Sequence, residues 1–167
     1  MGVAVMDLLK LFSLQRVLDE RIESAHHVQP EEIFEKKLLA LLVEIGELAN
    51  ETRCFKFWST KPPAAKERIL DEYADGLHFI LSLGLLPGYE NQVKIGPSIL
   101  TGDLTAQFTQ LYRVVHAFKE TRSLADYQLL LSCYVGLTKA LGFTEAETEA
   151  AYLLKNEVNH ERQESGY

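Results

Sequence analysis

A chain of 167 residues, 47% of them hydrophobic, suffices for one domain with a proper core and is too short for two comfortable ones. The net charge of -7 and pI near 5.3 exclude a protein built to coat nucleic acid polymers through their phosphates. A mean hydropathy of -0.07, with Phe79 to Leu86 as the longest apolar candidate run, excludes a bilayer-spanning helix.

From Met6 to Ser24, Leu8, Leu11, Phe12, Leu14, Val17, Leu18 and Ile22 recur at three- and four-residue steps and predict a first amphipathic helix, with Gln15 and Asp19 forming a polar line beside the apolar face. His26 to Gln29 break the pattern, and Pro30 followed by Glu31 and Glu32 suits the first turn of a second helix running from Glu31 to about Thr52. Its leucines leave room for Gly46, which costs a helix about 1 kcal/mol relative to alanine and so implies close approach of something at that point. Arg53 to Pro63 interleaves Phe55, Phe57 and Trp58 with Lys56 and Lys61 and closes on two prolines, which predicts a loop. It either packs through its aromatics or acts as a lid, with Trp58 offering a flat face and Lys56 and Lys61 offering charge to an anionic ligand.

A third helix is expected from Ala64 to about Leu85, then a connection from Pro87 to Gly102 with no legible function. Leu104 to about Glu120 and Ser123 to Leu141 carry strong apolar stripes suited to a core or a dimer interface. Gly142 ends the fifth helix, and Thr144 with Glu147 three residues later opens a sixth, Glu145 to about Gln163, as a capping box. The expectation is an all-α bundle of about six helices forming one domain over residues 1–167. Cys54 and Cys133 belong to no metal-binding or disulfide pattern. The N-terminus shows no signal-peptide pattern, so a cytoplasmic location and no membrane partner are expected.

The chemistry lies in two acidic pairs. Glu44 with Glu47, and Glu72 with Asp75, each sit three apart within runs that read as buried helix. If the helices that carry them are antiparallel, about five residues after Glu47 and about eight before Glu72, at about 1.5 Å each, bring the pairs to one level. Four facing carboxylates in apolar surroundings require cations, and an all-oxygen set suits Mg²⁺ or Mn²⁺. Lys155, Asn159 and Arg162, spaced i, i+4, i+7, share one stripe of the last helix and offer charge-assisted donors to a phosphate chain. Together these features imply a nucleoside di- or triphosphate.

The spacing Glu44-x-x-Glu47 then Glu72-x-x-Asp75 resembles the signature of the all-α NTP pyrophosphohydrolases. Leu14-Gln15 with Leu18-Asp19, the Phe57-Trp58 loop, Asp75-Gly76-Leu77-His78-Phe79 and the ending Lys155-Asn156-x-x-Asn159-x-x-Arg162-Gln163-x-x-Gly166-Tyr167 narrow the resemblance to the dimeric dUTPases. The resemblance implies two or more Mg²⁺ ions, replaceable by Mn²⁺, on Glu44, Glu47, Glu72 and Asp75. It implies a phosphate chain held by Lys155, Asn159 and Arg162 with Tyr167, and a uracil and deoxyribose pocket shaped by Gln15, Asp19, Trp58, His78 and Phe79. Glu47, or failing that Glu44, would deprotonate the attacking water as dUTP, and also dUDP, is cleaved to dUMP in a homodimer. The Pro87–Gly102 connection departs from larger relatives, which carry more helix there.

Three alternatives stay open on the sequence. A related pyrophosphohydrolase would prefer dCTP or a broader set of nucleotides. Asp75-x-x-His78, Glu157-x-x-His160 and Glu23-x-x-His26 also fit a di-metal carboxylate bundle. A helical partner-binding protein would leave the carboxylates solvated.

Overall fold

The computed structural model describes residues 6–167; residues 1–5 of the expected domain lie outside the described residues. Six α-helices and no strand occur among the described residues: α1 (Leu8–Ala25), α2 (Pro30–Thr52), α3 (Lys66–Leu85), α4 (Leu104–Thr121), α5 (Leu124–Leu141) and α6 (Glu145–Glu164). Among the described residues, no helix is long and apolar enough to cross a membrane.

The expected elements are all present, with ends shifted where a side chain or backbone amide is used outside the helix. Met6 and Asp7 precede α1 because the Asp7 carboxylate accepts from the Lys10 amide at 3.1 Å as an N-cap. Ser123 is likewise the cap of α5, not its first residue, and Thr144 and Glu147 form the capping box of α6. The third helix starts at Lys66, two residues later than expected. The Ala64 amide donates instead to the Glu51 carbonyl at 3.0 Å, tying the chain back to the end of α2 before it turns. The Arg53–Pro63 loop is closed by Arg53, whose guanidinium donates to Ser59 Oγ at 2.6 Å and to the Lys61 carbonyl at 3.2 Å.

Helix α3 is the organiser. It packs against α1, α2, α5 and α6, and 12 of its 20 residues are buried, so it has no solvent face along much of its length. On one side α5 lies antiparallel to it and sends two tyrosines into its backbone. Tyr127 donates to the Ile80 carbonyl at 2.9 Å and Tyr134 to the Tyr73 carbonyl at 2.8 Å. Both rings are fully buried, and each phenol finds the acceptor that a buried hydroxyl needs. This approach is possible because the rings lie over Gly84 and Gly76. A Cβ at either glycine would come within 2.1 Å of the tyrosine oxygen.

The Pro87–Gly102 connection runs along the outside of α5, where Gln128 Oε1 accepts from the Lys94 amide at 3.1 Å and Ser132 Oγ accepts from the Gly96 amide at 2.9 Å. Two polar side chains of α5 thus hold a segment that has no helix or strand of its own. Cys54 and Cys133 are free thiols.

The glycine–tyrosine contacts generate a stability prediction. Gly84→Ala or Gly76→Ala places a methyl group into a tyrosine ring between two packed helices. Each should lower stability by about 1–3 kcal/mol or more, the range for overpacking a core. Thermal and urea melts measure it; a neutral or stabilising effect, as helix propensity alone predicts, would show that α3 and α5 are not this close.

Candidate active site

Two acidic pairs meet between α2 and α3, with Glu72 buried, Glu44 and Asp75 half-buried and Glu47 exposed. One carboxylate oxygen each from Glu44, Glu72 and Asp75 lies within 4.8 Å of the others. Glu47, an exposed residue one turn along α2, adds its charge to the surroundings of Glu44. Burial, then the charges of Asp75, Glu47 and Glu72, push the Glu44 carboxyl up to about 8, and Glu44 Oε2 is buried without a partner. Burial also raises Glu72 and Asp75 above the usual carboxylate range, against the opposing pull of Arg68 and Lys155 respectively.

Two cations brace the second pair. Arg68, one turn before Glu72 on α3, places Nη2 2.5 Å from Glu72 Oε1, and Glu72 is almost wholly enclosed. Lys155 on α6 is buried between Asp71 and Asp75, its Nζ 2.7 Å from Asp71 Oδ1 and 3.0 Å from Asp75 Oδ2. Burial works against that ammonium, but hydrogen bonds to Asp71 and Asp75 outweigh it and hold the Lys155 pKa above its ordinary value. The Lys155 side chain is therefore already committed to the acidic cluster and is not displayed as a separate cation.

A cavity of about 430 Å³ opens beside the acids, walled by one stripe from each of four helices: Gln15, Asp19 and Glu23 of α1; Lys37, Ala40 and Glu44 of α2; Asp75, His78, Phe79 and Ser82 of α3; Asn159 and Arg162 of α6. The spacing of these residues is that of helix neighbours on one face. A larger depression of about 650 Å³ between the Pro87–Gly102 connection and α5 is lined by a single acid, Glu145, and by none of Glu44, Glu47, Glu72 or Asp75.

At one end of the walled cavity the polar groups form a chain. Tyr152 donates to Gln15 Oε1 at 2.9 Å, Gln15 Nε2 to Asp19 Oδ1 at 2.9 Å, and Ser82 Oγ to Asp19 Oδ2 at 2.5 Å. Lys37 Nζ lies 3.5 Å from the same Asp19 oxygen and 2.6 Å from Glu23. Burial raises the Asp19 pKa, offset in part by Lys37, Ser82 and Gln15. His78 stacks on the Tyr152 ring with centroids 4.2 Å apart. Burial pushes its pKa down to about 3, and both ring nitrogens are enclosed without a hydrogen-bond partner, so the imidazole is neutral.

Of the residues singled out in the sequence, the structure gathers Gln15, Asp19, Glu44, Asp75, His78, Phe79, Asn159 and Arg162 around this cavity, with Glu47, Glu72 and Lys155 beside it. It does not bring Trp58, Lys56, Lys61 or Tyr167 to the wall. Trp58 is 63% exposed and packs edge-on to Phe57, Lys56 lies over the Phe55 ring, and Tyr167 is 83% exposed with the Arg162 guanidinium 5.2 Å from its centroid. Sequence reasoning passed over Arg68, Asp71, Lys37, Ser82 and Tyr152. A helical count from the residues already chosen reaches each of them: Arg68 is one turn before Glu72, Asp71 one turn before Asp75, Ser82 two turns after Asp75, Lys37 two turns before Glu44 and Tyr152 two turns before Asn159.

No curated protein matches the chain. A family model described as dUTPase matches residues 7–167. A helical bundle with no strand among the described residues, an acidic cluster beside a cavity of about 430 Å³, and a match over residues 7–167 agree with one another: the chain belongs to the all-α dUTPase family, and its activity is the hydrolysis of dUTP.

Proposed function

We propose that the chain, acting as one domain, cleaves dUTP to dUMP and pyrophosphate in a Mg²⁺-dependent reaction at the Glu44/Glu47/Glu72/Asp75 cluster, and that it also accepts dUDP. The observation that carries this reading is the convergence of Glu44, Glu72 and Asp75 within 4.8 Å, with the buried Glu44 Oε2 left unpartnered. A hard, all-oxygen donor set with an orphaned carboxylate oxygen fits Mg²⁺, with Mn²⁺ as a substitute, and two or more ions would be held by the four acids. A divalent ion bound there supplies Lewis acidity and positive charge against the triphosphate.

The protein's own groups have separable tasks. Glu47 is the exposed member of the four, and it takes the proton of a water that attacks in line at the phosphoanhydride joining the α- and β-phosphates; Glu44 is the second choice for this role. The bridging P–O bond breaks as the new one forms, giving dUMP with pyrophosphate from dUTP or phosphate from dUDP. Arg162 and Asn159, 3.3 Å apart on the cavity wall, hold the phosphate chain; Arg162 forms no ion pair among the described residues, and only its charge is felt at Asp75. Lys155 reaches the phosphates only from its seat on Asp71 and Asp75. Lys56, Lys61, Trp58 and Tyr167 lie outside the wall and would join the substrate by closing over it. Gln15, Asp19, His78 and Phe79 receive the nucleoside. Leu39 and Val43, exposed one turn apart on α2, offer apolar surface for the homodimer contact. A cytoplasmic setting suits two free thiols.

Two predictions test this. Glu47→Gln should lower turnover of dUTP by about 10²–10⁴-fold, the usual contribution of a general base, while the melting temperature stays near that of the wild type. Pyrophosphate release should vanish with a chelator and return with Mg²⁺. Wild-type turnover in Glu47→Gln would remove Glu47 from the mechanism.

The second concerns pH. Glu44 keeps its proton in the folded, metal-free chain up to about pH 8, whereas in the unfolded chain it ionises near 4.5. Its contribution to stability is fully present below pH 4.5 and is lost as the pH climbs through about 8. The melting temperature of chelator-treated protein should fall across that window, and less steeply in Glu44→Gln. Mg²⁺ should stabilise the wild type most at the alkaline end, where it no longer competes with the proton. Equal slopes in the two metal-free proteins would exclude Glu44 as the titrating group.

A further inference from the structure

The nucleoside end of the cavity depends on a side chain that does not line it. Tyr152 is fully buried on α6, with its ring stacked on His78. Its hydroxyl lies 2.9 Å from Gln15 Oε1 and 3.3 Å from the Leu11 carbonyl oxygen. Both neighbours are acceptors and the phenol has one proton, so the shorter contact, to Gln15, takes it.

That proton matters because a carboxamide is nearly symmetric in shape. Its oxygen and its NH₂ exchange places by a half turn, and only hydrogen-bond partners distinguish the two orientations. A hydroxyl donating to Oε1 turns the NH₂ away from Tyr152 and towards Asp19, whose Oδ1 accepts at 2.9 Å. Asp19 is fixed in turn by Ser82 and Lys37 on its other oxygen. After these bonds are made, one Gln15 N–H and one Asp19 Oδ1 lone pair are left over. Side by side, they present a donor and an acceptor to the cavity, the complement of a ring carbonyl next to a ring N–H, which is the edge uracil offers.

We propose that Tyr152 is a positioning residue for nucleobase binding: its hydroxyl sets the orientation of the Gln15 amide and thereby the donor–acceptor pair that the base meets. This rests on the reading of Gln15 and Asp19 as base-binding residues. Tyr152 touches no substrate itself. Without its hydroxyl, Gln15 Oε1 becomes a buried acceptor with no donor, and the amide relaxes by rotating out of register with the base.

Tyr152→Phe removes only the hydroxyl and keeps the ring stacked on His78. It should raise the KM for dUTP about tenfold, the scale of one lost hydrogen bond, with kcat within about twofold of the wild type. Gln15→Ala should raise KM by at least as much, and adding Tyr152→Phe to Gln15→Ala should change nothing further, since the hydroxyl acts only through the amide. Deoxyuridine affinity, measured by calorimetry well below the melting temperature of each variant, should follow the same order without turnover. Additive KM effects in the double variant, or a fall in kcat equal to the fall in kcat/KM, would overturn the positioning role. So would an unchanged KM in Tyr152→Phe when Gln15→Ala raises it. An unchanged KM in Gln15→Ala would instead overturn the base-binding reading, and this proposal with it.

Discussion

The arrangement of this fold follows from the repulsion among four carboxylates that share a half-buried space. Glu44, Glu47, Glu72 and Asp75 cannot all hold their charge there without cations, since desolvation and like charge both oppose ionisation. The protein answers half of the problem internally. Arg68 holds Glu72 and Lys155 holds Asp75, each by direct ion pairing. The first pair receives no such partner, and the strong upward displacement of Glu44 records the deficit. The charge left uncompensated is on α2, at the cavity mouth, and a divalent ion is the complement it lacks.

Holding carboxylates against their own repulsion requires a backbone that does not yield, and α3 is built for that. On the α5 side, Gly76 and Gly84 let two tyrosine hydroxyls reach main-chain carbonyls, so the helices are bonded as well as packed. On the cavity side, the same helix displays Asp75, His78, Phe79 and Ser82. The glycines make α3 locally less helix-prone in isolation, and the tertiary contacts they allow more than offset this. The self-closed loop from Arg53 to Lys61 keeps α2 and α3 in fixed axial register, which is what brings the two acidic pairs to one level.

Much of this was legible in the sequence because helices announce themselves locally. Periodicity marked all six, and Thr144 with Glu147, Gly142 and Pro30 marked ends through chemistry confined to a turn. The acidic pairs were legible for the same reason, since residues three apart share a face wherever the helix goes. What a single helix does not encode is which face meets which neighbour. Lys155, Asn159 and Arg162 share a stripe, yet Lys155 is buried in a salt bridge while Arg162 looks into the cavity, because the stripe runs from inside the bundle to its rim. Tyr152 escaped notice because its part depends on Gln15, 137 positions away in the chain. The aromatic loop shows the same limit: Trp58 has the chemistry of a base-stacking residue and stands 63% exposed, off the cavity wall, a placement that loop composition does not encode.

The cavity is also polarised, and its polarity runs the same way as that of a nucleotide. Carboxylates and Arg162 lie at one end; at the other, Asp19 is countered by Lys37, and His78 stays uncharged. A charged imidazolium at position 78 would place a second attractor for phosphate at the nucleoside end, and a triphosphate would then have two competing orientations. Burial against Tyr152 removes that possibility by driving the His78 pKa far below neutrality. The result is a ring that retains hydrogen-bonding capacity but no net charge, beside an amide whose orientation is set from behind. On the proposed reading, in which the nucleoside lies beside His78 and the phosphates beside Arg162, what His78 is prevented from becoming orients the substrate as much as the cations at the opposite end do.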